Sequence, residues 1–314
     1  MPPHYTCSIL LVWVYIVYND ERGNEMHTKI AKALKFIILA VLVVGMLAGC
    51  GGNTKSDSGG GSYSDLMIMP GVELAAEEYA IGFRVGSDAV PQVNKLIAEL
   101  IEDGTLDRIA EKYDLTASLL SNQGTAGPSG PSDRTEAGDL ANILDKGKLI
   151  IGITIYEPMN YFDENGDLTG FDTEFAIALC EKLGVTPDFQ EINWDTKEVE
   201  LAAKNIDCIW NGLTVTEERR QNIEFTDSYI KNKQVIVIRK ADKDKFTTIE
   251  SLAEAKLAAE ISSAGEDAIK DNPILSGAPY TAMAKQTDTL MEVKAGTSDA
   301  AVLDYTAAKA LVGE

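Results

Sequence analysis

Residues 152–185 read GITIYEPMNYFDENGDLTGFDTEFAIALCEKLGV, and this stretch sets the pattern from which the fold is predicted. The apolar run 149–155 that leads into it predicts a buried strand. Asn165-Gly166 separates two short pairs of residues and is typical of a hairpin turn. Residues 173–183 then show the apolar spacing of a helix. The stretch therefore predicts a strand, a hairpin and a helix in that order.

The rest of residues 140–314 continues this alternation. Further strands are predicted at 208–210, 234–239, 257–261 and 300–303, and a last helix at 305–312. Strands that alternate with helices in this way predict an α/β fold with largely parallel sheets. Trp210 lies within a predicted strand, so we assign it to the core.

A second ordered segment, residues 64–114, precedes this region. It predicts a strand at 66–69 that Pro70-Gly71 stops, a second strand at 78–84, and two helices at 90–101 and 106–113 with Gly104 between them. About 50 residues are too few to hold a good core alone. We therefore expect residues 64–115 and 139–314 to fold together, joined by a Gly/Pro/Ser-rich linker at 116–138.

The charge of the chain excludes several classes of partner. The chain has 314 residues, with 28 Lys+Arg against 49 Asp+Glu and a net charge of −21. A surface this acidic repels phosphate backbones, so we expect no nucleic-acid partner. It would not adhere to anionic lipid through charge alone either.

The N-terminal residues read as a targeting signal. Three lysines precede an apolar run at 36–47, which is too short to span a bilayer comfortably but suits a signal peptide. Residues 47–50, Leu-Ala-Gly-Cys, resemble the bacterial lipobox, in which the cysteine receives a lipid and the chain is cut before it. We expect residues 1–49 to be an upstream extension plus lipoprotein signal peptide, Cys50 to be the lipidated residue and 50–63 to be a Gly/Ser linker. A short transmembrane anchor is the alternative.

Cleavage before Cys50 would remove His4 and His27, the two histidines of the chain. The mature protein would then lack the base of a Ser-His-Asp or Cys-His nucleophile and any His-ligated zinc site. Cys180 and Cys208 are too few for a cysteine-rich metal site, although export would permit a disulfide between them. We expect no metal, no cofactor and no catalytic residue.

Five segments resemble the amino-acid-binding family of solute-binding proteins of ABC importers. The segments 152–185, 192–220, 262–269 and 298–305 resemble its beginning and middle, and the segment 77–115 resembles its tail. The resemblance covers nearly all of the mature chain. It implies a two-lobed, type II periplasmic-binding-protein-like fold of the α/β class with a hinge between the lobes.

The order of the segments is unusual, because the tail precedes the rest. A circular permutation explains this order: one domain opened within its second lobe, with its old ends joined by the linker. The alternative is a remnant of a duplication whose pieces complete each other between chains as a swapped dimer. We expect a monomer with lobes at 139–235 plus 74–114 and at 239–314 plus 64–69. The hinge would lie near 235–238 and 69–73.

A free α-amino acid carries a carboxylate and an ammonium, and a buried pocket must supply an opposite charge for each. The resemblance implies Arg219 as the clamp of the carboxylate, at the end of a strand and the start of a helix. Gly212 would allow close approach of the backbone, and Thr214 would offer its amide and hydroxyl groups. Asp304 would take the ammonium; the alternative is a cap of the helix that follows it, and the two roles can coexist.

The remaining site residues are also implied by the resemblance. Tyr156 and Trp194 match positions where the family stacks aromatic rings on the ligand side chain, with core packing as the alternative. Met159 replaces an aromatic residue that is frequent in the family. The residues expected to complete the ligand-binding set are Asn211, which precedes Gly212, and the second-lobe loop residues Ser263, Ala264 and Gly265.

The sequence therefore predicts an extracytoplasmic lipoprotein of the cell membrane that binds an amino acid and delivers it to the transmembrane subunits of an ABC permease. Its partners would be the free amino acid, the permease and, through the anchor, the membrane. One alternative is a sensor or decoy that no longer serves transport. Another is a dehydratase-like enzyme on the same fold, but the sequence offers no obvious second carboxylate in the pocket for proton transfer.

Overall fold

Two five-stranded sheets organise residues 63–120 and 138–313, the parts of the chain that the computed structural model describes. The strands are β1 (Leu66–Tyr79), β2 (Gly82–Arg84), β3 (Lys148–Ile153), β4 (Tyr161–Phe162), β5 (Leu168–Thr169), β6 (Thr186–Glu191), β7 (Cys208–Ile209), β8 (Ile223–Phe225), β9 (Ile230–Arg239), β10 (Leu257–Glu260), β11 (Tyr280–Met283) and β12 (Ala300–Asp304). The predicted α/β class is confirmed, and helices pack beside both sheets.

Eight helices connect the strands in the described residues. They are α1 (Ala89–Glu102), α2 (Thr105–Lys112), α3 (Asp139–Lys146), α4 (Phe171–Leu183), α5 (Lys197–Ala202), α6 (Ala264–Asp271), α7 (Gln286–Ala295) and α8 (Tyr305–Val312). None of them is both long and apolar enough to cross a membrane.

The sheet of the first lobe has the strand order β6-β3-β7-β2-β8. Its strands β6, β3 and β7 are parallel, and β2 lies antiparallel between β7 and β8. The sheet of the second lobe has the order β1-β9-β12-β10-β11, in which β12, β10 and β11 are parallel. Because parallel strands bring their carboxyl ends to one edge, each lobe presents the ends of two strands to the space between the lobes.

Strand β1 corrects the prediction that Pro70-Gly71 stops a strand. The pairing of β1 with β9 continues past this dipeptide, with a register shift between Ile68 and Glu73. Gly71 has φ of +72°, and a register shift beside a glycine of positive φ marks a bulge. The dipeptide therefore bends the strand without ending it, since a long partner strand supplies hydrogen bonds on either side.

The chain passes between the sheets at residues 80–81 and 226–229, where β1 leads to β2 and β8 leads to β9. The two passages run side by side, because the Tyr229 amide donates to the Tyr79 carbonyl over 2.9 Å. The predicted hinge positions are wrong: residues 235–238 pair with β12 inside the second sheet. Apolar runs show where strands lie, but they do not show at which residues the chain passes from one sheet to the other.

The segment that precedes the linker completes both lobes. Its strand β2 sits inside the first sheet and its strand β1 lies at the edge of the second. Arg84 fixes this arrangement, since its guanidinium pairs with Asp139 at 2.9 Å and donates to the carbonyls of Leu201 and Ile206. The two pieces therefore pack as one folded body, and the expectation that neither folds alone stays a prediction.

Two predicted boundaries are wrong by a few residues. Tyr63 is buried in the core, although the linker was expected to reach it. Thr116–Ser118 forms a 3₁₀ turn, and the Leu120 amide donates to the Tyr229 carbonyl over 3.0 Å. Residues 116–120 therefore belong to the folded body. Cys50, the signal segment 1–49 and the linker residues 121–137 lie outside the described residues.

Two further predictions are confirmed, the core position of Trp210 and the hairpin at Asn165-Gly166, while the disulfide that was left open does not form. Trp210 is 1% exposed and meets the Phe175 ring edge-on, with 5.0 Å between the centroids. The hairpin forms as β4 and β5 around Gly166, whose φ is +85°. Cys180 and Cys208 are buried as free thiols, so the disulfide that export would permit is absent from this structure.

Candidate functional site

A small cavity lies between the lobes. Every predicted ligand-binding residue lines it except Gly265. The first lobe contributes Thr154, Tyr156, Trp194, Asn211, Gly212, Thr214 and Arg219, and the second contributes Glu260, Ser263, Ala264, Gln286 and Asp304. Thr154, Asn211, Glu260 and Asp304 stand at or just after the ends of β3, β7, β10 and β12, where an open α/β sheet places its ligands.

Two buried cations of the first lobe reach one carbonyl of the second. Arg219 is 5% exposed, and its guanidinium donates to the Thr214 carbonyl over 2.9 Å and to the Ser262 carbonyl over 3.1 Å. The Lys197 ammonium donates to the same Ser262 carbonyl over 3.0 Å and to the Trp194 carbonyl over 3.1 Å. Burial, together with the charge of Arg219, lowers the pKa of Lys197 to about 8. These contacts hold the lobes together at the cavity.

Ser262 adopts a backbone conformation that residues other than glycine rarely use, with φ of +57°. Its amide donates to the Glu266 carboxylate over 2.8 Å, which helps to keep this conformation. Such strain persists only where the surroundings impose it. Here it turns the Ser262 carbonyl toward the two cations.

The chain around Arg219 differs from the prediction. Arg219–Gln221 forms a single 3₁₀ turn where the sequence predicted the start of a helix. The Thr216 hydroxyl accepts from the Arg219 amide over 3.1 Å, so the expected cap is present but the helix does not continue. The strand β8 begins at Ile223 and limits the turn to three residues.

Asp304 faces the cavity within a network of amides. Its Oδ1 accepts from Asn232 over 2.6 Å and from Gln234 over 2.8 Å, and its Oδ2 accepts from Gln286. Its side chain makes no cap to α8, so the alternative role as a helix cap is not realised. Glu77 from β1 joins the network, and burial together with the charge of Asp304 raises the pKa of Glu77 well above its usual range.

Glu260 is a second acid of the cavity and corrects the expectation that none is present. It ends β10 and is 4% exposed. Burial raises the pKa of its carboxyl to about 8, and the charge of Asp304 adds to this effect. The signal in the sequence is a charged residue inside the apolar run 257–261, three residues before Ser263 of the loop that the family resemblance singled out. Sequence reasoning also missed Lys197, Gln286 and Thr154.

The aromatic residues combine packing with hydrogen bonding. The Tyr156 hydroxyl lies 2.6 Å from the Thr306 hydroxyl and 2.9 Å from the Tyr79 hydroxyl. Its ring therefore lines the cavity while its oxygen links the two lobes. Trp194 also lines the cavity, and the Lys197 ammonium lies 4.8 Å from the centre of its ring. Met159 is fully buried and does not line the cavity.

Asn211 and Gly212 line the cavity, and their hydrogen bonds fix the backbone around it. The Asn211 amide donates to the Thr154 carbonyl over 2.9 Å and to Asn160 over 2.7 Å, so it ties two loops together. The Gly212 amide donates to the Asp172 carboxylate over 2.7 Å. Gly212 has φ of +57°, and a Cβ there would lie 2.7 Å from a Tyr156 ring carbon. The position requires glycine for both reasons.

The second-lobe loop uses its polar groups internally. The Ser263 hydroxyl caps α6, since it accepts from the Glu266 amide over 3.1 Å and donates to the Glu260 carbonyl over 2.7 Å. Gly265 lies in the first turn of α6, and a Cβ there would meet the Val302 carbonyl at 2.8 Å. Its role is therefore close packing on β12, and its predicted contact with ligand is not supported by its position.

An open groove adjoins the cavity at Thr154. The Lys285 ammonium crosses it to the Glu191 carboxylate at 2.8 Å and forms another contact between the lobes. Both partners are exposed, so the pair contributes little to stability. The described residues contain no cluster of acidic, cysteine or histidine side chains that would hold a metal ion.

Comparison with known proteins gives concordant results. The pattern of the bacterial extracellular solute-binding proteins, family 3, matches residues 149–306. A probable amino-acid ABC transporter-binding protein of Haemophilus influenzae is 32% identical over 179 residues, 54% of this chain and 68% of that protein. The L-cystine-binding protein TcyJ of Escherichia coli is 26% identical over 178 residues, 56% of this chain and 66% of that protein. The aligned part of the chain thus spans about two thirds of these relatives.

Solved structures show the same architecture. Holo ArgBP from T. maritima is 33% identical with a TM-score of 0.51, and the match covers 54% of this chain and 74% of that chain. The ancestral amino-acid-binding protein AncCDT-1, described as a precursor of cyclohexadienyl dehydratase, is 32% identical with a TM-score of 0.51 over 52% and 73% of the two chains. The type II periplasmic-binding fold is therefore confirmed.

Proposed function

We propose, from the premise that the chain belongs to the bacterial extracellular solute-binding proteins of family 3, that it binds a free amino acid between its lobes and delivers it to an ABC importer. One observation carries this proposal. Arg219 of the first lobe and Asp304 of the second are buried and line the same cavity. A zwitterion between them would touch both lobes and so favour the closed form over the open one.

Both charged groups keep bonding capacity for a ligand. A guanidinium has five N–H donors, and Arg219 uses two of them on the carbonyls of Thr214 and Ser262. A carboxylate has about four acceptor sites, and Asp304 uses three on amides. We assign the ligand carboxylate to Arg219 and the ligand ammonium to Asp304. The relatives named for binding cystine, arginine and histidine support an amino acid as the ligand class.

The test is a thermal-shift screen of the twenty amino acids, followed by calorimetry of Arg219→Ala and Asp304→Ala with the best ligand. Two charge-assisted hydrogen bonds contribute about 1.5–3 kcal/mol each, so either variant is expected to lose at least about 100-fold in affinity. Arg220→Ala is the matched control, because its side chain is exposed next to Arg219. Unchanged affinity in either cavity variant would refute the site assignment.

We also propose that residues 64–115 are the tail of the family domain, moved to the front by circular permutation within one chain. The position of β2 inside the first sheet and of β1 along β9 supports this. Light scattering on the purified protein is expected to give the mass of one chain. A stable dimer that exchanges residues 64–115 would support the swapped alternative instead.

We propose that Cys50 anchors the mature protein to the outer face of the cell membrane through lipid. The support is the resemblance of residues 47–50 to a lipobox after a basic and apolar stretch. In cells, the protein is expected to partition into detergent, and Cys50→Ser is expected to move it to the aqueous fraction. Equal partitioning of the two forms would exclude the anchor.

Two alternatives remain distinct from transport. A sensor or decoy would bind the amino acid without supporting ligand-dependent uptake by cells, which an uptake assay would reveal. A dehydratase-like enzyme would need a protonated acid in the cavity, and Glu260 gives this second candidate a specific basis, because burial raises its pKa to about 8. Formation of product from prephenate would decide for the enzyme.

A further inference from the structure

One buried acidic side chain of the cavity forms no hydrogen bond or ion pair with the described residues. Glu260 lines the cavity and is 4% exposed. Among the described residues, its carboxyl oxygens accept no hydrogen bond and join no ion pair. Burying an unpaired carboxyl group is costly unless a partner arrives. A ligand that enters the cavity is therefore the candidate partner of this carboxyl group.

The other charged groups around the cavity each have hydrogen-bond partners among the protein atoms. Arg219 and Lys197 each donate to two carbonyl oxygens. Asp304 accepts from three side-chain amides. Glu260 is the exception in this set. Its carboxyl does not act as the partner of Arg219, Lys197 or Asp304, since no hydrogen bond or ion pair joins it to any of them.

We propose that Glu260 receives a positive charge on the side chain of the ligand, so that the preferred ligands are α-amino acids with a cationic side chain. This inference rests on the proposed function. The ligand carboxylate and ammonium are assigned to Arg219 and Asp304, which leaves Glu260 for the side chain. A guanidinium or ammonium would supply the hydrogen bonds and the charge that the carboxyl lacks.

Proton release should accompany this interaction. Burial and the charges of Asp304 and Asp288 raise the pKa of Glu260 to about 8, against the opposing effect of Lys197 and Arg219. The empty protein then holds a proton on Glu260 at pH 7, and a cationic ligand displaces it. Affinity for such a ligand should rise up to tenfold per pH unit between pH 6 and 8 and level off above. Lys197 also titrates near pH 8, so the effect must be isolated with a Glu260 variant.

The experiment compares ligands that differ in charge at nearly constant shape. Calorimetry is run with L-arginine against L-citrulline and with L-lysine against L-norleucine, on the wild type and on Glu260→Gln. Loss of one charge-assisted hydrogen bond predicts that the wild type prefers the cationic member of at least one pair by about 10- to 100-fold. Glu260→Gln is expected to lose this preference. Glu254→Gln, the same change at an exposed position of the same lobe, is expected to keep it.

The outcomes separate this inference from the proposed function. If the wild type binds the neutral members as tightly as the cationic ones, or if Glu260→Gln keeps the preference, the role of Glu260 is overturned while amino-acid binding stands. If no amino acid binds at all, both fall. If Glu260→Gln does not fold, calorimetry of the wild type in two buffers of different ionisation enthalpy still decides, because binding without proton release at pH 7 contradicts the inference.

Discussion

Asp172 offers the sharpest test of the electrostatics behind the cavity wall. This residue lies in the first turn of α4 and is fully buried. Its carboxylate accepts from the Gly212 amide over 2.7 Å and from the Tyr229 hydroxyl over 2.8 Å. Burial outweighs these hydrogen bonds and raises the pKa of Asp172 from 3.8 to about 7. Asp172→Asn keeps the shape of the side chain and removes its titration.

The size of the effect follows from linkage. A rise of about three pKa units corresponds to about 4 kcal/mol, at 1.36 kcal/mol per unit. The folded protein binds this proton more tightly than the unfolded chain does. The stabilising contribution of the protonated form is therefore complete below about pH 4 and is lost as the pH rises to about 7. Relative to Asp172→Asn, the free energy of unfolding of the wild type should fall by about 4 kcal/mol over this interval.

The assay is urea unfolding of both proteins at several pH values between 4 and 8, with tryptophan fluorescence as the measure of unfolding. The difference between the two proteins is the quantity of interest, because the titration of other groups cancels in it. Asp107→Asn is the control, since Asp107 also lies in the first turn of a helix but is exposed. A difference that stays constant to within about 1 kcal/mol across the whole interval would refute the reasoning.

Three further predictions concern packing and reactivity. Gly212→Ala is expected to cost at least about 1 kcal/mol of stability and to weaken amino-acid binding, because the position combines a positive φ with a Cβ contact of 2.7 Å to the Tyr156 ring. Wild-type stability in urea unfolding and wild-type affinity in calorimetry would contradict this. Arg84→Ala is expected to destabilise the fold by about 3–5 kcal/mol, because it leaves a largely buried carboxylate unpaired, and a loss under 1 kcal/mol in urea unfolding would contradict this. Cys180 and Cys208 are expected to react with a maleimide only after denaturation, since burial raises the pKa of Cys180 to about 12 and that of Cys208 well above its usual range. Labelled Cys180 or Cys208 peptides from the native protein, detected by mass spectrometry, would contradict this.

Local patterns predicted the elements whose cause is local. The hairpin around Gly166 follows from two residues of turn chemistry, and α4 follows from the spacing of its apolar side chains. The alternation of such elements predicted the α/β class, which is confirmed. The positions that line the cavity came from the resemblance of whole segments, and their roles in binding stay predictions.

The errors arose where distant residues decide the structure. The strand β1 continues through Pro70-Gly71 because β9, about 160 residues later, holds it in place. The sequence did not single out Glu260, which lies inside the apolar run 257–261, because its place in a cavity lined by both lobes depends on residues far away in the chain. The Ser262 carbonyl accepts hydrogen bonds from Arg219 and Lys197 because Ser262 has a positive φ, and no pattern of side chains in the sequence predicts that φ.

The placement of β2 inside the first sheet constrains how the chain acquires its structure. Its partners in β7 and β8 emerge from the ribosome more than 120 residues after it. Until then the early segment has no sheet to join, and its apolar side chains stay available to chaperones or to other chains. Contacts between such distant positions slow folding. A nascent chain of this order should therefore depend more on protection during synthesis than one in which the same strand is made last.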